Sequence, residues 1–152
     1  MPKRTCHAAR LSHRKFERHL QDEGLRLTAQ RLRVLERVFL THEHFSAETL
    51  FGWLRAEDGP SVSRATVYRA LELLASAGFV TVLDTGRGEM LYEHSLGHTH
   101  HDHLVCKRCG RIEEFREAQI EKLQEAVARK YGFDLTGHVL RLTGVCRDCQ
   151  KP

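Results

Sequence analysis

The chain has 152 residues, 24 lysines and arginines against 20 acidic residues, a net charge of +4 and 41% hydrophobic residues. That length allows one compact domain or two small ones, and with no apolar run near the ~20 residues of a bilayer span it excludes a membrane helix. The basic N-terminus has no apolar segment behind it, which excludes a secretory signal, and four of the five cysteines fall in Cys-x-x-Cys pairs, so metal binding in a reducing, cytoplasmic setting is expected.

Residues 1–12 read as a flexible basic tail, with Cys6-His7 a free thiol beside an imidazole. Charge continues past it. Through Arg33 the chain carries nine lysines and arginines, among them Arg26, Arg31 and Arg33, against Glu17, Asp22 and Glu23, an excess that suits a polyanion-facing surface. A helix is expected from Ser12, with Phe16 and Leu20 inward, ending at Gly24. Thr28 is the N-cap of a second helix, in which Leu32, Leu35, Val38 and Phe39 recur at helical steps. Thr41–Phe45 reads as a polar link. Ser46 caps a third helix with Leu50, Trp53 and Leu54 inward, and Glu57-Asp-Gly-Pro60 breaks it.

Ser63 caps a fourth helix. Val67, Ala70, Leu71, Leu74 and Ala77 form its core face, while Arg64, Tyr68, Arg69 and Glu72 lie opposite. Phe79–Leu83 and Glu89–Tyr92 read as strands joined by the turn Thr85-Gly-Arg-Gly88. This element order is that of a winged helix-turn-helix, in which the last helix enters the DNA major groove. Its arginines can reach phosphate or guanine, Tyr68 can cover thymine methyls, and Arg87 stands where a wing would touch the backbone.

Composition changes at His94, so a domain over 1–94 and a second over 95–152 are expected. The second holds a strand around His98–Gly110, a strand at Arg111–Phe115, a helix from Glu117 to Tyr131 with Ile120, Leu123 and Val127 inward, and a strand over Asp134–Leu142. The fold class is α+β: an N-terminal winged helix-turn-helix followed by a small α/β domain with a three-stranded antiparallel sheet.

Chemistry concentrates in the second domain. Cys106, Cys109, Cys146 and Cys149 offer four thiolates, the closed tetrahedral shell of a structural zinc. On an extended strand side chains alternate, so His101 and His103 point one way, His100 and Asp102 the other. The first pair needs further ligands. Glu93, His44 and a carboxylate of Glu113 or Glu114 can supply them, and a site of His44, Glu93, His101, His103 and Glu114 would bridge the two domains. Nitrogen and oxygen donors without thiolate suit Fe(II), Mn(II) or Zn(II). A metal-dependent hydrolase would need an open coordination position and a base, and no HExxH helix, nucleophile elbow or phosphate-binding loop is present. A metal buffer would carry the same ligands with no use for the Tyr68–Arg69 face.

These residues together resemble the ferric uptake regulator family. The carriers are Gly24-Leu-Arg-Leu-Thr28 with Arg31, His44-Phe-Ser-Ala47, Arg64-Ala-Thr-Val-Tyr-Arg69, and His100-His-Asp-His-Leu-Val-Cys-x-x-Cys-Gly110 with Ile112-Glu-Glu-Phe115. The resemblance implies a cytoplasmic, homodimeric repressor that binds AT-rich inverted repeats of double-stranded DNA when metal-loaded, with no membrane partner, and it makes the second domain the dimerisation domain. It implies a regulatory site of His44, Glu93, His101, His103 and Glu114, and a further site of His100, Asp102, Glu121 and His138. On the DNA side it implies Arg26 near the minor groove, with Arg31, and Arg64, Thr66, Tyr68 and Arg69 on the recognition helix. The Glu93–His100 spacing is one residue longer than is common in the family, which leaves His94 and His98 as alternatives to Glu93. Glutamates at 93 and 114, and no cysteine between Cys6 and Cys106, favour the iron branch over peroxide- and zinc-sensing members, while the same ligands serve manganese as well as iron. The expected ions are Zn(II) in the structural site and Fe(II) in the regulatory one, with Mn(II) or Zn(II) as its alternatives.

Overall fold

Local signals start and stop the helices. Thr28, Ser46 and Ser63 are extended residues whose hydroxyls accept the amides of Arg31, Thr49 and Thr66, satisfying donors that a helix start leaves open. Gly24 and Gly78 take positive φ (69° and 72°), and the amides behind them, Leu25 and Phe79, reach back to Leu20 O and Leu74 O at 2.7 and 2.8 Å. The computed structural model describes residues 5–95 and 100–151, with side chains from residue 13 onward. Residues 1–4 of the expected tail, the side chains of Cys6 and His7, and the segment 96–99 with His98 lie outside the described residues.

The elements in order are α1 (Thr5–Asp22), α2 (Ala29–Phe39), β1 (Phe45–Ser46), α3 (Ala47–Ala56), α4 (Arg64–Ser76), β2 (Val80–Asp84), β3 (Met90–His94), β4 (Asp102–Cys106), β5 (Ile112–Phe115), α5 (Ala118–Lys130), β6 (Arg141–Gly144) and α6 (Arg147–Gln150). Helix α1 begins at Thr5, earlier than the expected Ser12, because no glycine or proline interrupts residues 5–23. Among the described residues no helix is long and apolar enough to cross a membrane.

The chain divides into two compact units, one of residues 1–84 and 88–98, the other of residues 85–87 and 99–152. The first unit holds one continuous apolar core. Phe16, Leu20, Val34, Leu35, Val38, Leu50, Val67, Leu71 and Leu74 are fully buried there, and Phe79 closes it edge-on against Phe16 and Phe39. Each such side chain contributes about 1.5–3 kcal/mol on leaving water. The stripes expected on α2, α3 and α4 face this core, with Val34 added to them. Beside the helices lies a three-stranded sheet of order β1-β3-β2. Strand β1 takes the last residue of the expected polar link, Phe45, and the helix cap Ser46. It pairs Phe45 with Tyr92, and Phe45 is buried against Trp53.

The second unit is a three-stranded sheet, order β5-β4-β6, with α5 between β5 and β6 in sequence. β4 and β5 are antiparallel, as expected, but β6 runs parallel to β4, with Cys106 opposite Gly144. The expectation of an all-antiparallel sheet is corrected here, and the cysteines supply a reason. Cys106 ends β4, so a strand delivering Cys146 to the same place must run in β4's direction. The strand also lies later than expected, at Arg141–Gly144 in place of 134–142. This unit has almost no apolar interior. Of its described apolar side chains only Val105 and Cys106 are buried, and Leu123 and Val127, expected to face inward, are 65% and 55% exposed.

Candidate functional site

Three sets of side chains carry the chemistry, and each is built by the strands that hold it. Cys106 ends β4, and Cys109 follows in the knuckle closed by Gly110 N to Cys106 O at 2.9 Å. Cys146 and Cys149 follow β6 around the start of α6. The four sulfur atoms lie within 4.8 Å of one another, and Cys109 Sγ to Cys146 Sγ is 3.7 Å. A tetrahedron with zinc–sulfur bonds of ~2.3 Å has edges of ~3.8 Å, so the sulfurs already stand at zinc spacing. The amide of Cys146 donates to Cys106 Sγ at 3.3 Å. The amides of Cys109, first, and of Cys146 hold the Cys106 thiol down to about 5, while the sulfurs of Cys146 and Cys109 push Cys149 up to about 12. Sulfurs this close ionise together only around a cation. Arg108 donates to Cys149 O, and Arg111 pairs with Glu113 and with Asp148 at 3.2 Å, tying α6 to β5.

On β4 itself, His100 (just before the strand) and Asp102 meet Glu121 from α5 and His138 from the chain leading to β6. His100 Nε2 and His138 Nε2 are 2.7 Å apart, and each is 3.3 Å from Asp102 Oδ1. Glu121 Oε1 lies 3.8 and 3.6 Å from the two imidazoles. A tetrahedral ion with bonds of ~2.0–2.1 Å has ligand–ligand edges of ~3.3–3.4 Å, within this range. Asp102 is 1% exposed, yet neither of its oxygens accepts a hydrogen bond, and the same is true of Glu121 Oε1. Buried carboxylate oxygens ordinarily find a donor. A divalent cation among these four groups would supply the missing partner, so the residues fit a metal.

The opposite face of β4 carries His101 and His103, their rings 5.0 Å apart. Cross-strand register sets His103 against Glu114 and Leu104 against Glu113. Directly opposite residues share a face, so Glu114 stands with the histidines, its Oε2 3.8 Å from His101 Nε2, while Glu113 turns to Arg111. In the first unit β1 sets Phe45 against Tyr92, which brings the flanking His44 beside Glu93, 3.5 Å between Nε2 and Oε2. His94, the described alternative to Glu93, packs its ring against Phe39 and His42.

On α4, Tyr68 and Arg69 are exposed while Val67, Ala70, Leu71 and Leu74 are buried. Arg26 and Arg87 are exposed too. The other expected DNA residues have work inside their unit. Arg31 Nη1 donates to Arg26 O at 2.6 Å, Arg64 pairs with Glu48 at 3.0 Å and covers the Phe51 ring, and Thr66 Oγ1 meets Ser63 Oγ at 2.9 Å. Sequence reasoning missed Arg33, which it took for one surface charge among many. The signal available was its position beside the apolar stripe, one turn from Arg37.

The description "Ferric uptake regulator family" matches the chain over residues 22–143. A Campylobacter jejuni ferric uptake regulation protein is 40% identical over 138 residues, covering 90% of this chain and 87% of that protein. The Vibrio cholerae ferric uptake regulator structure is 41% identical at a TM-score of 0.67, covering 86% of this chain and 98% of its own. The Helicobacter pylori ferric uptake regulator, whose structure reveals three functional metal binding sites, is 32% identical at a TM-score of 0.73 and covers 88% and 87%.

Proposed function

This chain belongs to the ferric uptake regulator family, metal-responsive transcription regulators and not enzymes, and from that premise we propose that it is an iron-responsive repressor binding AT-rich inverted repeats of cytoplasmic DNA as a metal-loaded homodimer. Cys106, Cys109, Cys146 and Cys149 hold a structural zinc. His44, Glu93, His101, His103 and Glu114 hold the regulatory ion, and His100, Asp102, Glu121 and His138 a further one. The division at the boundary near residue 94 gives a DNA-binding domain and a dimerisation domain.

The observation that carries the gate is that each unit offers an incomplete ligand set. The first brings His44 and Glu93 together at 3.5 Å, and the second brings His101 and Glu114 together at 3.8 Å with His103 beside them. Neither set fills a five- or six-coordinate shell. One ion taking both would restrain one unit against the other, and a coupling of ~1–3 kcal/mol changes DNA occupancy 5–150-fold. Nitrogen and carboxylate donors suit Fe(II), with Mn(II) and Zn(II) as competitors. Dimerisation is supported by the second unit's uncovered apolar side chains, Leu123, Val127, Phe133 and Val139 among them. Tyr68 and Arg69 read the major groove, Arg26 lies near the minor groove and Arg87 meets the backbone.

The test is a fluorescence-anisotropy titration of an AT-rich inverted repeat with Fe(II), Mn(II) or Zn(II) present, or with chelator. Binding is expected only with metal, strongest with Fe(II), and falling steeply as salt rises. Equal binding in chelator would remove the gate. Tyr68→Ala with Arg69→Ala should cost ~1–3 kcal/mol per lost base contact and leave metal binding intact, whereas a metal buffer would be insensitive.

A further inference from the structure

The segment Glu57–Ser63 joins α3 to α4, the turn of the helix-turn-helix. No strand or helix ladder holds it, so its carbonyls must find donors elsewhere. Arg33, from the middle of α2, supplies donors to two of them and to the end of α3. Its Nη2 donates to Leu54 O and Glu57 O, both at 2.8 Å, and its Nη1 donates to Pro60 O at 2.5 Å. Leu54 O belongs to the last turn of α3, where carbonyls lack intrahelical partners, and the capping amide of Glu57 goes to Trp53 O instead.

Gly59 completes the seat. Its φ is +135°, and a Cβ there would stand 3.2 Å from both Cζ and Nε of Arg33. Arg37, one helical turn on, secures the same end of α3: Nε is 2.8 Å from Glu57 Oε1, and the guanidinium lies 4.4 Å over Trp53. Only Ser61 and Val62 separate Pro60 from Ser63, the N-cap of α4, and Val62 is buried. Wherever Arg33 holds Pro60, the first turn of α4 follows.

We infer that Arg33 is a positioning residue for sequence-specific DNA binding: its guanidinium clamps the α3–α4 turn and so sets the pose in which α4 presents Tyr68 and Arg69. The inference rests on the reading of α4 as the recognition helix. A surface arginine would strengthen binding to any duplex through phosphate. A clamp acts only on contacts that need α4 in register.

The experiment uses the full-length, metal-loaded protein with Arg33→Met, which keeps the aliphatic stem and removes every donor. Affinity is measured for the AT-rich inverted repeat and for a scrambled duplex across a salt series. Affinity for the repeat should fall about five- to tenfold, on the order of one lost base contact. Scrambled-duplex affinity and the slope of log affinity against log salt should stay as in the wild type. If both duplexes lose affinity together and the slope shrinks by about one, Arg33 is a phosphate contact and the clamp is wrong. Unchanged affinity for the repeat overturns it as well. Gly59→Ala crowds the guanidinium while keeping its charge, and should give the same selective loss. If Arg33→Met does not fold, Gly59→Ala decides alone, and wild-type selectivity in it overturns the clamp. A wild-type protein that does not discriminate the repeat overturns the DNA reading and the clamp with it. A discriminating wild type with two insensitive variants overturns the clamp only.

Discussion

Removing the thiolate of Cys149 should unfold the second unit and spare the first. That unit buries only Val105 and Cys106 among its described apolar side chains. At about 1.5–3 kcal/mol for a fully buried aliphatic side chain, such an interior contributes a few kcal/mol. A structural zinc contributes ~10–16 kcal/mol in small peptides at neutral pH. A zinc in the four-cysteine site would therefore outweigh the core, and would tie the end of β4 to Cys146 and Cys149. The two units can be followed separately. Trp53 is the sole tryptophan and packs on Phe45 in the first unit, so its fluorescence reports that unit. In the second, the Lys107 amide bonds to Gly144 O at 2.8 Å and the Cys106 amide to Arg111 O at 2.9 Å, so their hydrogen exchange reports the sheet. In Cys149→Ser, or after zinc extraction, exchange at these amides should speed up by at least about a hundredfold, some 2.7 kcal/mol. The denaturant transition seen by Trp53 should move by less than ~1 kcal/mol. Wild-type protection of Lys107 and Cys106 in protein shown by metal analysis to hold no zinc would refute this ranking of zinc over core.

Asp102→Asn should lose the stabilisation that metal confers, about 2.7 kcal/mol at a hundredfold excess of ion over Kd, while metal-free variant and wild type melt alike or the variant higher, because an undonated buried carboxylate is gone. Thermal melts with and without ion decide it, and an equal drop in both conditions would contradict the metal role. Leu123→Glu with Val127→Glu puts two charges on exposed apolar positions one helical turn apart. Sedimentation should show the dimer weakened by at least about tenfold in Kd, and an unchanged dimer would place the interface elsewhere.

Much of this protein was legible from local chemistry. Thr28, Ser46 and Ser63 cap helices because a hydroxyl satisfies open amides two or three residues ahead, and Gly24 and Gly78 stop them because they reach positive φ without strain. The paired cysteines pointed by spacing alone to the four-sulfur cluster that the fold assembles, and strand alternation separated His101 and His103 from His100 and Asp102. Resemblance, not periodicity, pointed to Glu121 and His138, which lie 19 and 36 residues beyond Asp102 in the chain.

Tertiary structure decided the rest. Strand β1 is two residues long and has no signal of its own; it exists because β3 offers it an edge, and that pairing sets His44 beside Glu93. β6 is parallel because its cysteines must arrive at the Cys106 end of β4. The apolar stripe of α5 has the period of a buried face, yet Leu123 and Val127 on it stay exposed, since periodicity names a face and not what packs there. Arg33 counted as one more positive charge until its three carbonyl acceptors came together around it. Caps, spacings and alternation act over a few residues and can be read along the chain, whereas a carbonyl, an imidazole or a sheet edge brought from tens of residues away becomes a partner only once the chain has folded.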